Sequence, residues 1–301
     1  MSRRKGFAPT LKSHRPARTL VAARAAAILF FVAATLITGG VRADARFTPP
    51  AQDSLTPLQR EIEKQKVRLS SADTEERRDA VTRLGAMRRP EASRAAAAAL
   101  GDAAAVVRAT AARAALSLGA GEASTLIVPL LRDRDEFVRR EAAYALGLTR
   151  SALGVEALTA ALARDKESAV RGAAAVALGQ IADARAVPVL SEALGRRIAR
   201  TGLLNRITFR KTEENDFVRR AAAVALGQIK SRDGVPALVA ALSNERAGDD
   251  VRRESARALG LIGDPSAIPA LRAAATARDP YLTQIALEAL RKLDPTAAAP
   301  A

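Results

Sequence analysis

The apolar positions of this chain return on a nearly fixed beat. Aligned on a Val-Arg pair, the stretch FVRREAAYALG at 137–147 comes back as AVRGAAAVALG (169–179), FVRRAAAVALG (217–227) and DVRRESARALG (250–260). Looser copies are EERRDAVTRLG (75–85), VVRATAARAAL (106–116) and YLTQIALEAL (281–290). The position of Val138 is taken by Glu76, Val107, Val170, Val218, Val251 and Leu282, at successive steps of 31, 31, 32, 48, 33 and 31 residues. Within a copy, Val138, Ala142, Ala145 and Leu146 fall at helical spacing, and the same wheel turns Arg139, Arg140 and Glu141 outward.

Each copy then continues into a second helix. Asp133, Asp165, Asp216 and Asp249 sit where first helices begin, and Gly147, Gly179, Gly227 and Gly260 punctuate where they end. A turn such as ADAR (182–185) or GDPS (263–266) follows, and Pro188, Pro236 or Pro269 opens the second helix at the first-turn position that tolerates proline. Its apolar set is Val187, Leu190 and Leu194 in one copy and Val235, Leu238 and Leu242 in another. Pro129 falls inside a second helix, which predicts a kink or a shifted start. One helix pair cannot bury its own stripe, but stacked pairs can. Identical surroundings demand identical residues, which is why AAAVALGQI is written unchanged at 173–181 and 221–229.

The acid, V-R-x-x-A-A-x-A-L-G, turn and V-P-x-L order resembles HEAT repeats of the short, phycobilin-lyase-like type. The resemblance spans about 72–294 and implies an all-α fold: a right-handed α-solenoid of about seven stacked helix pairs that binds other molecules on its surface. It also implies that Asp…Arg pairs, such as Asp133 or Asp135 with Arg139, form a structural ladder between turns rather than a site. The solenoid is expected over 56–294, with a capping helix at 56–70. Thr56 and Gln59 have capping-box spacing, and Leu58, Ile62 and Leu69 share one face of the helix they open. Residues 46–55 read as a linker and 295–301 as a flexible tail.

The first 45 residues break the pattern. Residues 1–24 hold seven bases and no acid, 25–41 are uncharged and mostly apolar, and Ala43-Asp44-Ala45 supplies a small-x-small site. That order predicts a secretory signal peptide cleaved before Arg46. The apolar run is also long enough to serve as an inner-membrane anchor. Either way the remainder is expected to be exported, periplasmic or extracellular, and membrane-associated if the anchor stays. The formal charge of +16 then overstates the folded part, because residues 1–45 carry eight bases and one acid.

Composition removes most chemistry. Cysteine is absent and the single histidine, His14, lies in the leader. Beyond residue 45 this excludes Ser-His-Asp and Cys-His catalysis and histidine or thiolate metal sites. GAGEAS (119–124) lacks the lysine and the strand context of a phosphate loop. Two enzymes resemble this repeat, a bilin lyase and an iron hydroxylase built on His-Glu pairs. The chain lacks those histidines, and the lyase reading rests on fold analogy alone. No catalytic residue and no cofactor is expected.

The 48-residue step is the one break in the beat. The surplus lies near RRIARTGLLNRITFRKTEEN (196–215) and gathers Arg196, Arg197, Arg200, Arg206, Arg210 and Lys211. Asn205, Ile207 and Phe209 alternate with Arg206, Thr208 and Arg210, a period of two that predicts a short extended segment. Insertions in repeat proteins map to loops on one face, often the binding face. A basic loop carrying Phe209 suits an acidic protein surface or, as an alternative, an anionic membrane. A single stacking aromatic in an exported chain disfavours nucleic acid. A second candidate is the ridge of second helices, with Val189, Ser191, Glu192, Val239 and Arg272 predicted to face out. If it lines the inner curve, as the resemblance implies, it suits a helix or peptide.

Overall fold

A computed structural model describes residues 55–199 and 211–294, the latter with the backbone alone at 211–213, as at 197–199. Among the described residues, capping helix α1 (Pro57–Arg68) leads into six helix pairs and a final single helix. First helices are α2 (Thr74–Ala86), α4 (Ala105–Ala114), α6 (Glu136–Thr149), α8 (Ser168–Ile181), α10 (Asp216–Ile229), α12 (Asp249–Ile262) and α14 (Pro280–Leu293). Second helices are α3 (Pro90–Ala97), α5 (Ala120–Ile127), α7 (Val155–Arg164), α9 (Val187–Gly195), α11 (Val235–Ser243) and α13 (Ile268–Ala274). Each first helix packs on the next, and the second helices form the other layer.

The local rules hold at the entries. Thr56 and Gln59 close a reciprocal capping box, with Thr56 N–H donating to Gln59 Oε1 at 2.8 Å and Gln59 N–H to Thr56 Oγ1 at 3.2 Å. Ile62 and Gln65 form the buried face of α1, while Leu58 is more than a third exposed. Pro188, Pro236 and Pro269 each take the second position of a second helix, after a single 3₁₀ turn. Pro129 has the expected effect: α5 stops at Ile127 and continues as a 3₁₀ segment, Val128–Arg132.

Val138, Ala142, Ala145, Leu146, Leu190 and Leu194 are buried in one core that runs from Ala109 to Leu290, and a second cluster from Ile62 to Ala114 serves the first repeats. The glycines do a different job from the one the spacing suggests. Gly147, Gly179, Gly227 and Gly260 lie inside their helices. The left-handed residues that end them are Arg150, Ala182, Lys230 and Gly263. The glycines instead let first helices touch. A Cβ at Gly147 would meet Ala177 Cα at 2.7 Å, one at Gly179 would meet Ala225 Cα at 2.8 Å, and one at Gly227 would meet Ala258 Cα at 2.9 Å. In the copy with Leu116 at this position, the α-helix breaks off at Ala114 into a 3₁₀ turn.

Candidate partner-binding surface

A line of buried arginines threads the repeats. Arg108, Arg139 and Arg171 follow the buried valine of their helices and are at most 7% exposed, so the outward placement read for Arg139 is wrong. Each reaches forward one repeat. Arg77 binds Asp102, Arg108 binds Asp133 and Arg139 binds Asp165, each through two N–H···O contacts of 2.7 to 3.0 Å. The remaining amino group donates back into its own loop, as Arg139 does to the Asp133 and Arg134 carbonyls. The carboxylates cap the loops they sit in: Asp133 Oδ1 accepts the Asp135 N–H and Asp165 Oδ1 the Glu167 N–H. The ladder is real, but its pairing crosses repeats. Asp133 serves Arg108, and Asp135 caps α6 through the Phe137 and Val138 N–H groups. The guanidinium hydrogen bonds hold the Asp102 and Asp133 carboxyls below the usual carboxylate range, and they raise Arg108 and Arg139 in turn.

The long step is built at this ladder. After α9 the chain leaves as strand β1 (Arg197–Ala199) and returns as strand β2 (Lys211–Glu213), paired antiparallel with Arg197 opposite Glu213 and Ala199 opposite Lys211. The Glu214 N–H donates to the Arg196 carbonyl at 2.9 Å and shuts the base of this ribbon. Glu214 then acts as the rung that an aspartate supplies elsewhere. Its fully shielded carboxylate takes Arg171 through contacts of 2.6 and 2.9 Å, and Arg196 lies 3.8 Å away. Its Oε1 also accepts the Asn215 N–H, and Asn215 in turn caps α10. One residue therefore closes the insertion through its backbone, fills the Arg171 rung with its side chain and leads into the next repeat. The extra residues leave the stack unbroken.

Of the predicted insertion residues, Arg196 is mostly buried and held by Glu192 at 3.1 Å. Arg197 and Lys211 stand on the paired strands. Arg200, Arg206, Phe209 and Arg210, and with them the predicted alternation, lie outside the described residues. The second-helix ridge is mixed. Val189 is buried in the core, Ser191 and Val239 are half-buried, and Glu192 and Arg272 are exposed, Arg272 lying 3.6 Å from Asp294. Val189 cannot face a partner because it is buried in the core.

Two surfaces escaped the sequence reading. Exposed large apolar groups concentrate on first helices, and Phe137, Phe217 and Tyr281 share one repeat position, just before the buried Val or Leu. Phe217 lies against Gly172, Arg140 stands over Phe137 and Arg253 over Tyr281, each guanidinium 5.1 Å from the ring centre. The second surface is the edge of loops that join each second helix to the next first helix. It carries Arg132, Arg134, Arg164, Arg246 and Arg278, all exposed. Among the described residues no His, Cys, Asp and Glu group is arranged to hold a metal ion.

A model of HEAT repeats matches residues 65–147, 124–201 and 203–291, nearly all of the stacked helices. This chain is a HEAT-repeat protein. Among solved structures, the HEAT stack is similar to YibA of Escherichia coli, at 22% identity over 79% of this chain and 82% of that one, with a TM-score of 0.54. It is also similar to an engineered protein, at 24% identity over 77% and 68% of the two chains, with a TM-score of 0.52. The complex of CpcE and CpcF of phycocyanin lyase from Nostoc aligns at 25% identity over 85% and 92%, with a TM-score of 0.46. No curated protein matches the sequence.

Proposed function

We propose that this HEAT-repeat protein is an exported, non-enzymatic scaffold that holds another protein through its basic ribbon and the loops beside it. The observation that carries the reading is the Glu214 closure. A ribbon that rejoins the stack through the ladder's own chemistry adds surface without altering the fold. The bases crowded into 196–211 make that added surface cationic. The basic, apolar and small-residue order of 1–45 supports export, and the lack of histidine and cysteine beyond residue 45 supports a binding role over catalysis.

The test is capture from the native host with the wild-type chain and with a variant in which a two-residue glycine turn replaces 197–213. A partner held by the first and lost by the second, with unchanged helical content, supports the reading. Equal capture by both overturns the role of the ribbon. Sedimentation with phosphatidylglycerol vesicles separates the membrane alternative: ribbon-dependent vesicle binding with no captured protein would replace the proposal. An N-terminus at Arg46 in the secreted chain marks cleavage, whereas an intact leader in the membrane fraction marks an anchor.

A further inference from the structure

The loop-edge arginines differ from every ladder arginine. Among the described residues, Arg132, Arg134, Arg164, Arg246 and Arg278 have no carboxylate within ion-pair distance. Their neighbouring acids are already engaged: Asp133 and Asp165 by the ladder, Asp135 by the start of α6, and Asp279 by Arg253 at 2.8 Å. Among the described side chains of these loops, Glu245 is the one exposed acid with no such engagement. Arg246 stands five residues before Val251, where three earlier copies have Asp102, Asp133 and Asp165, so a negative position has become positive. Helix C-termini favour cations. That preference does not account for Arg132, which ends a 3₁₀ segment, or for Arg278, which lies beyond the end of α13.

Between these arginines lie two cavities, the larger with mostly apolar walls and the smaller more polar. One, of about 820 Å³, is lined by Val128, Pro129, Ala157 and Ala160 beside Arg132 and Arg164. The other, of about 370 Å³, has Leu194, Ala237 and Ala240 beside Arg196 and Arg246, and the buried Ser191 Oγ next to it has no hydrogen-bond partner. The basic ribbon leaves the stack between the two.

We infer that this loop edge binds an extended acidic polypeptide with a carboxylate at every third residue, in polyproline II conformation; the inference rests on the protein-scaffold reading above. Packed helices lie about 8–10 Å apart, which sets the interval between successive arginines. A polyproline II chain rises about 3.1 Å per residue with three residues per turn, so every third side chain returns to one side after about 9 Å. Glutamates at that interval meet Arg132 and Arg164 in neighbouring repeats, and a glutamate two steps further on meets Arg246, past the repeat whose Arg196 is held by Glu192. Prolines or aliphatic stems between them fill the apolar walls. Arginine is suited to the task because its fork donates to both carboxylate oxygens.

The experiment uses the full chain after leader removal and fluorescent peptides of repeated Glu-Pro-Pro, compared with peptides of the same composition whose glutamates form one block. The periodic peptide is expected to bind at least about fivefold more tightly than the block peptide. The R132S/R164S/R246S variant should lose about tenfold in affinity with an unchanged melting curve, since three exposed ion pairs are removed. Replacing the same three arginines with lysine should recover part of the loss, and binding should weaken steeply between 50 and 300 mM salt, as expected at about one Debye length. Equal affinity for the two peptides would reduce the edge to a general polyanion surface and overturn the inference. So would an unaffected serine variant, or tighter binding to phosphatidylglycerol vesicles than to either peptide. Captured host protein without peptide binding would sink this inference and leave the scaffold reading standing, whereas loss of both would remove the scaffold.

Discussion

Arg139 and Arg164 belong to the same repeat, yet they behave as different chemical objects. Arg139 is buried, makes two contacts to Asp165 and donates into two carbonyls of its own loop. Arg164, one residue before that aspartate in sequence, is exposed and has no carboxylate partner among the described residues. The comparison repeats one step earlier with Arg108 and Arg132, around Asp133. A net positive charge is therefore two populations. One ties repeat to repeat and is invisible from outside. The other carries the charge that a partner would meet.

The sharpest break of this comparison is to truncate one of each. Removing the buried partner strands the Asp165 carboxylate, and breaking a buried pair from one side costs about 3–5 kcal/mol. Arg139→Ala should lower the urea midpoint by an amount equivalent to that loss. A change under about 1 kcal/mol would mean that the ladder is ornamental.

Hydrophobic packing comes next. Leu190 is fully buried in the core, and Leu190→Ala should cost about 2–4 kcal/mol through the cavity it leaves. Each repeat touches only its neighbours, so hydrogen exchange should quicken around α9 and its adjoining pairs before it does at α2. Uniform loss of protection across the stack would contradict that regional picture.

The first-helix seam ranks third. A side chain at Gly227 would run into Ala258 Cα, which belongs to backbone and cannot swing aside. Gly227→Val should destabilise by about 1–3 kcal/mol, despite the entropy that a glycine costs a helix. Gly101, with nothing near its added Cβ, is the control: Gly101→Ala should melt like the wild type.

These outcomes also mark what could be read without coordinates. The repeat, the apolar sets around Val138 and Leu190, the Thr56–Gln59 box and the Pro129 interruption all follow from near neighbours in sequence. Hydrophobic period, capping and proline chemistry act over a few residues. The misread features are those decided between repeats. A helical wheel turns Arg139 outward because it cannot know that Asp165, 26 residues on, waits beside it. Gly147 resembles a helix stop until Ala177 is placed against it. The closing role of Glu214 depends on the separation of 43 residues that puts it beside Arg171. The candidate surface was legible as a charge excess at 196–211. The row of Arg132, Arg164, Arg246 and Arg278 was not, because its members look like ladder residues until the carboxylates beside them are seen to be engaged or, at Arg246, replaced.

Acid titration reaches the buried arginines through their carboxylates and leaves the exposed row, which has none among the described residues, untouched. Folding lowers the Asp102 and Asp133 pKa values, so the native state holds those protons less tightly than the unfolded chain. The stability they contribute is complete above the ordinary aspartate value of about 3.9 and is lost as pH falls through the lower folded values. The melting temperature should stay level from neutral pH to about pH 5 and drop below about pH 4. A D102N/D133N variant should start lower and show a shallower drop. An identical acid profile would detach the ladder from acid unfolding.

The smallest effect completes the contrast with Arg139. Arg164 has no ion pair to lose, and surface substitutions of this kind fall within about 0.5 kcal/mol of the wild type. Arg164→Ala should therefore leave the urea midpoint, the slope and the acid profile where they were. Helix α7 loses one cation near its C-terminus, which accounts for at most a few tenths of a kcal/mol and fades with added salt. If Arg164→Ala instead destabilised the chain as strongly as Arg139→Ala, both arginines would be structural. The exposed row would then be a second ladder, and the cationic edge would have no charge to spare for a partner.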